Sequence, residues 1–471
     1  MTDVLLTHSN HVYSDRKQTA KMQPYPPLQT LIAAAVLREH GIATALFDPA
    51  LEDCMEPPVE AFEAALDRYR PRLVVVCEDD FNFLSKMCLT RNRELAFRMA
   101  EAAARRGIPA AVHGSDASDH VREYTGAGFS FVLIGEVEQT LLELAQEKPL
   151  DSIRGLAFSG SISPRYNAPR PVRADLDALP QPAWDLIDIK RYRRAWMSRH
   201  GYFSLNMASS RGCPYRCNWC AKPIYGQNYH CRGARAVADE MRHLKKAFGA
   251  DHIWFADDIF ALSPAWTLAF ARAVEERGAQ VPFKMQSRCD LMTRDTVAAL
   301  KRAGCAEIWM GAESGSQKIL DAMDKGTRVG QIYAARENLR RHGIRACFFL
   351  QFGYPGEEWS EIEATIRMVR ETAPDDIGVS VSYPLRGTSF HQNVVTQIGA
   401  VANWSDSADL AMMFRGAYSS DFYRALASAL HLEVRGGAGL AAAWELVHAL
   451  ERRAPSKKAQ GDEMAVMAVA S

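Results

Sequence analysis

Residues 202–220 read YFSLNMASSRGCPYRCNWC, an apolar run of strand length that opens into a loop with three cysteines at C-x3-C-x2-C spacing. Three thiolates on one short loop, Cys213, Cys217 and Cys220, can bind three corners of a four-iron cluster, since cysteine spacing follows cluster geometry. The fourth iron is then left without a protein ligand, which suits a cluster that binds a substrate or cofactor directly. Three other readings compete. A structural zinc site would need a fourth ligand such as Cys231, but no paired C-x2-C follows downstream. A redox pair of Cys217 and Cys220 leaves Cys213 unexplained. Buried thiols of a core strand are at odds with Pro214, Tyr215, Arg216 and Asn218, which make a polar turn.

Downstream of the loop, apolar runs at 252–256, 282–287, 306–311, 344–353 and 377–382 follow the first strand, 202–208. Helical stretches at 233–248, 264–277, 294–303, 316–342 (with a break near Gly326) and 357–371 separate them. Several helices end in a basic residue followed by Gly, which complements the helix dipole and supplies a left-handed cap. Six such units predict a partial (β/α)6 barrel, with its chemistry on the loops after the strands. The cysteine loop follows the first strand. The next strand ends carry Asp257 and Asp258 in FADDIF, Arg288 in SRCD, Glu313 in GAESG, and Gly353 and Gly356 in FGYPGEE. Taken singly, each has an ordinary reading as a turn, a surface ion pair or a helix cap.

Upstream, runs at 3–8, 43–48, 72–77, 108–113 and 129–134 alternate with helical stretches such as 28–40 and 94–106. This pattern predicts a doubly wound α/β domain over 1–149, binding its ligand at the carboxyl ends of the strands. No G-x-G-x-x-G follows the first strand, so a nicotinamide or flavin dinucleotide is not expected. Residues 150–200 are rich in proline and are expected to form an extended linker. The barrel is assigned to 201–390 and a helical region with a frayed tail to 391–471, with amphipathic helices at 420–434 and 438–453.

The chain has 471 residues, 48% of them hydrophobic and 24% charged, with 56 basic and 56 acidic side chains. A zero net charge gives no electrostatic basis for nucleic-acid binding. No run reaches the roughly 18 apolar residues of a membrane span. The opening residues MTDVLLTHSN lack a basic n-region, so a cytoplasmic location is expected. Ten cysteines in such a chain favour metal ligation or buried thiols over disulfides.

The cysteine spacing, with Trp219 before the last Cys, resembles the radical S-adenosylmethionine (radical SAM) superfamily. Across roughly 1–390 the chain resembles the cobalamin-binding branch, with YPPL at 25–28, HGSDAS at 113–118 and GEVE at 135–138 as landmarks. Asp116 stands where that branch customarily has His, and Val137 where it has Gly. The D-x-H-x-x-G motif of classical cobalamin enzymes is absent.

The resemblance implies a [4Fe-4S] cluster on Cys213, Cys217 and Cys220, with S-adenosylmethionine contacted by Trp219, Asp258, Arg288, Glu313 and Gly353. It implies cobalamin against Thr7, His8, Ser9, Gly114, Ser115, Gly135 and Glu136. The implied activity is reductive cleavage of S-adenosylmethionine to activate a substrate C–H bond, for methyl transfer to carbon. The alternative is a radical cyclisation or rearrangement of tetrapyrrole or hopanoid type, a subgroup whose ends NWSDSADLAMMF (403–414) resembles. Expected partners are a small-molecule or natural-product substrate and an electron donor such as flavodoxin or ferredoxin. Met412, Met413 and Phe414 are candidates for an apolar substrate pocket, with a packing role as the ordinary alternative.

Overall fold

LVVVC at 73–77 is buried at every position, as expected of a strand covered on both faces. The computed structural model of the chain describes residues 2–52, 57–160, 162–222, 224–399 and 403–453. Its N-terminal sheet contains β1 (Val4–Thr7), β2 (Thr44–Leu46), β3 (Leu73–Cys77), β4 (Ala110–His113), β5 (Phe131–Leu133), β6 (Leu156–Phe158) and β7 (Arg165–Tyr166). Their order is β2-β1-β3-β4-β5-β6-β7. The first five are parallel, and β6 and β7 add antiparallel. The chain direction of travel reverses between β1 and β3, the switch point where doubly wound sheets hold ligands.

β6 and β7 lie within the segment expected to be an extended linker, as does a helix at Ile189–His200. The prolines act only locally there. LAF at 156–158 is apolar and pairs with β5. Beyond Pro182, Asp188 caps the helix by accepting from the Lys190 N–H, and Gly201 ends it at φ 73°. Tyr192 and Trp196 anchor that helix in the core.

The second sheet is all parallel: β8 (Ser204–Met207), β11 (His252–Phe255), β12 (Phe283–Ser287), β13 (Cys305–Glu313), β14 (Arg345–Phe352) and β15 (Asp376–Val381). Between β8 and β11 a two-residue antiparallel ladder joins β9 (Ser210–Arg211) to β10 (His230–Cys231). Along β12, Phe283, Met285 and Ser287 are buried while Lys284 and Gln286 are half-buried. β15 repeats this period of two, so one face packs under helices and the other lines a partly accessible interior. β8 and β15 do not pair, so the barrel is open there, as predicted. The Tyr25 loop covers the β8 side: the Tyr25 and Ser204 hydroxyls lie 3.1 Å apart, and Asn206 Nδ2 donates to the Pro26 carbonyl at 3.0 Å. The helix Ser420–Arg435 packs on β15. One hydrophobic core runs from Val4 through the barrel to Val447. The tail from 454 lies outside the described residues. Among the described residues, no helix is long and apolar enough to cross a membrane.

Candidate active site

The cysteine loop leaves the barrel through β9 and returns through β10. Gly212 sits at φ 80°, and a Cβ there would run into the Asn228 carbonyl, so the exit turn requires glycine. Cys213, Cys217 and Cys220 are half-buried and Cys231 is exposed on β10. Burial pushes the Cys220 thiol up to about 12. Among the described residues, no three His, Cys, Asp or Glu side chains converge tightly enough for a single ion. The loop tip is held by the barrel through Asn218. Its N–H donates to the Met323 carbonyl at 3.1 Å, and its Nδ2 donates to Ala322 O at 2.8 Å and Asp324 Oδ2 at 2.9 Å. Tyr354 donates to Asn218 Oδ1 at 3.0 Å.

The strand ends beside the loop present charged pairs. Arg288 stacks on Tyr215 at 3.7 Å, pairs with Asp290 at 3.0 Å and reaches Cys217 Sγ at 3.9 Å. Glu313 is buried at the end of β13 with φ 60°, an uncommon backbone for a residue with a side chain. It pairs with Lys325 at 2.8 Å, whose Nζ also lies 5.9 Å from the Trp219 ring centroid. Burial lowers the Lys325 pKa, but Glu313 and Cys217 outweigh it and the net direction is upward. Asp258 pairs with Lys86 of the N-terminal block.

The neighbouring Asp257 has a different job. It accepts from the Ser209 N–H at 3.1 Å, Ser209 Oγ at 2.6 Å and Ser210 Oγ at 2.5 Å, fastening the turn between β8 and β9. Gly353, at φ 74°, donates its N–H to Glu357 Oε2 at 2.5 Å. A Cβ on it would lie 2.9 Å from Met412 Sδ. Met413 joins the main core. Trp219 packs beside Ile319, Met323, Tyr354, Phe390 and Phe414, with its buried Nε1 unpartnered.

At the carboxyl ends of the N-terminal strands, His8 Nε2 contacts Asp48 at 3.0 Å, and Tyr192 donates to the same carboxylate at 2.7 Å. Burial lowers the His8 pKa, and Asp48 more than offsets this, so the net shift is upward. Thr7 is buried beside His8. The Ser9 N–H donates to Glu78 Oε1 at 3.0 Å, and Ser115 Oγ donates to Asp80 Oδ1 at 3.0 Å. Gly114 adopts φ 142°, where a Cβ would press within 2.8 Å of Glu78 Cβ. These residues adjoin one another at the ends of β1, β3 and β4. Gly135 is joined to the same strand ends by His113, whose Nε2 lies 3.5 Å from Asp80 Oδ2, and Glu136 contacts the second block. The Gly135 carbonyl lies 2.9 Å from His113 Nε2, while Glu136 pairs with Arg211 of β9 at 2.6 Å.

Glu78, Asp79, Asp80, Lys86, Arg211 and Lys325 were not singled out from the sequence. The run EDD directly after β3 was a usable signal. The cations had none, because their partners lie far away in the chain.

Residues 207–369 match the model of the Radical SAM superfamily. The chain carries a radical SAM domain. It is 26% identical over 279 residues to an uncharacterized methyltransferase of Pyrococcus horikoshii, covering 58% of this chain and 60% of that protein. It is also 26% identical over 278 residues to the anaerobic magnesium-protoporphyrin IX monomethyl ester cyclase of Cereibacter sphaeroides, covering 57% and 45%. The matches thus span about half the length of these relatives. The cobalamin-dependent S-adenosylmethionine radical enzyme OxsB, solved with aqua-cobalamin, superposes with TM-score 0.72 at 16% identity, over 100% of this chain and 71% of that one. The likeness establishes a shared fold, with the doubly wound sheet preceding the radical SAM barrel in this chain.

Proposed function

We propose that this protein is a cobalamin-dependent radical SAM enzyme that methylates carbon. The observation that carries this reading is the cysteine loop at the mouth of the barrel, beside Arg288, Asp258 and Glu313 on the next three strand ends. The donor set fits a cluster: three thiols share one loop, half-buried, and are not gathered for a single ion. The chemistry of the N-terminal strand ends fits a corrin bearing primary amides. Glu78 Oε2 is buried without a partner, and Asp80 Oδ2 makes no hydrogen bond, with His113 Nε2 3.5 Å away; carboxylate oxygens accept from amide N–H groups.

When bound, a [4Fe-4S] cluster supplies the electron that cleaves S-adenosylmethionine, and a methylated cobalamin supplies the methyl group transferred. The residues' own tasks follow from their chemistry. Cys213, Cys217 and Cys220 ligate three irons. Arg288 offers a bidentate fork to the amino acid carboxylate. Asp258 and Glu313 accept from the ammonium and the ribose hydroxyls, and Gly353 lets Met412 pack close against the fifth strand end. Trp219, Met412 and Phe414 exclude water from the side wall. Thr7, His8, Ser9, Gly114 and Ser115 line the corrin site. A flavodoxin or ferredoxin delivers the electron, and the substrate is a small molecule.

The test is anaerobic purification with iron and cobalamin quantified, then Cys213→Ala. The expected result is loss of the cluster and of S-adenosylmethionine cleavage; a variant that keeps its cluster sinks the ligand assignment. The similarity to a magnesium-protoporphyrin cyclase favours radical cyclisation as a second reading. S-adenosylhomocysteine formed beside 5′-deoxyadenosine supports methyl transfer, whereas 5′-deoxyadenosine alone supports cyclisation.

A further inference from the structure

Arg211 lies two residues before Cys213 and is only 4% exposed. Its guanidinium spans two carboxylates of the N-terminal block: Nη1 pairs with Glu136 at 2.6 Å and Nη2 with Glu138 at 2.5 Å. Glu138 is 2% exposed, and it opens the helix Val137–Ala145 that follows β5. The planar group also lies over Phe81 at 5.8 Å and Tyr225 at 5.4 Å, both measured to ring centroids.

The far stem of the cysteine loop is tied to the same block. Tyr225 donates to Gln29 Oε1 at 2.8 Å, and Gln29 Nε2 donates to Glu138 Oε1 at 2.9 Å. The Gln29 N–H in turn donates to Asp79 Oδ1 at 3.1 Å, beside Glu78 and Asp80. A guanidinium has five donors in a fixed fork, so a buried fork between two carboxylates fixes both distance and orientation.

We propose that Arg211 is a positioning residue: with Glu136 and Glu138 it makes the N-terminal sheet the frame in which the cysteine loop is seated. The tip of the loop is tied to the barrel through Asn218 and its near stem through Ser210 to Asp257, while both stems are also tied to the N-terminal block. The seat of the three thiols relative to the barrel is therefore set in part from outside the radical SAM domain. The Asp79–Gln29–Glu138 path gives the strand end at Glu78–Asp80 a hydrogen-bonded connection to that seat. The inference rests on the cluster reading above for its consequence, but not for its geometry.

Arg211→Met alone strands two buried carboxylates, and such a variant is prone to unfold. The informative variant is Glu136→Gln/Glu138→Gln/Arg211→Met, which removes the clamp without orphaning a charge. Two measurements on the full chain separate the clamp from the cluster. In cluster-free protein, hydrogen exchange at the amides of 213–222 is expected to accelerate about tenfold, with β13 unchanged. In anaerobically reconstituted protein, the variant is expected to hold its cluster about tenfold more weakly, the scale of lost outer-shell support. The change that S-adenosylmethionine causes in the reduced cluster's EPR signal is expected to be altered as well.

Unchanged loop exchange in the triple variant overturns the proposal. So does a wild-type EPR response to S-adenosylmethionine. If the wild-type chain takes up no cluster, the proposed function fails, while the exchange measurement still decides the clamp.

Discussion

The two sheets end in opposite electrostatic styles. At the mouth of the barrel three carboxylates each have their own cation: Asp258 with Lys86, Asp290 with Arg288 and Glu313 with Lys325. At the ends of the N-terminal strands, Glu78, Asp79 and Asp80 are buried together and bonded mainly to backbone N–H groups and a hydroxyl. Glu78 Oε2 has no partner, and Asp80 Oδ2 has no hydrogen bond, with His113 Nε2 3.5 Å away. A site made of exchangeable ion pairs suits a ligand with charges of both signs, such as an amino acid sulfonium. A site made of surplus acceptors suits a neutral ligand rich in N–H donors. Similar residues on similar parallel sheets are thus prepared for different chemistry by their partners alone.

The largest effect is expected from breaking a barrel pair. Lys325→Met leaves Glu313 buried and unpaired, which should destabilise the chain by about 3–5 kcal/mol in urea unfolding at neutral pH. A loss below about 1 kcal/mol would mean that Glu313 escapes to water and that the contrast between the sheets is weaker than drawn.

The N-terminal end should respond to pH instead. Burial pushes the Asp79 carboxyl up from 3.8 to about 7, partly opposed by the Gln29 and Phe81 N–H groups. The folded chain therefore binds more protons than the unfolded chain between those two values. Stability falls as pH rises through that window and stays lower above it. Asp79→Asn removes this loss, so it should stabilise by roughly 1–3 kcal/mol at pH 8 and hardly at all near pH 4. Thermal melts at the two pH values check this; an equal gain at both would show that the carboxyl is already neutral or already solvated.

The smallest effect serves as the control for both. Arg38 pairs with Asp185 at 2.8 Å on the surface, far from either strand end. Arg38→Ala should cost no more than about 1 kcal/mol, and less in high salt. If it costs as much as Lys325→Met, burial is not what distinguishes the barrel mouth.

Much of this was readable from the chain. The strand runs, the cysteine spacing and the polar strand ends lie within short windows, where periodicity and motif spacing carry the information. The Asp257–Asp258 pair shows the limit. The sequence made them equivalent, while folding gave Asp257 to the serines of one turn and Asp258 to Lys86, 172 residues away. Arg211 is the same case. It stands two residues before Cys213 in the sequence, and its two carboxylates arrive from the start of a helix more than 70 residues earlier. Glu136, which the family resemblance sets against a corrin, pairs with Arg211 of the second block. Partnerships across that span depend on tertiary packing, which no local pattern encodes. The segment 150–200 was misread for the opposite reason: its prolines dominated a window whose few apolar residues found a sheet edge.

The way the sheets finish bears on how this chain survives its own synthesis. An open strand edge is a template that other chains can extend. Here the outer strands of the first sheet are three and two residues long, β2 and β7, too short to recruit a neighbour firmly. The unpaired flanks of the barrel are roofed, β8 by the Tyr25 loop and β15 by the helix Ser420–Arg435. The helix over β15 starts about forty residues after that strand ends, so during translation β15 leaves the ribosome well before its roof does. In that interval the nascent barrel offers its longest bare edge, and there a chaperone, or a second nascent chain, would find it.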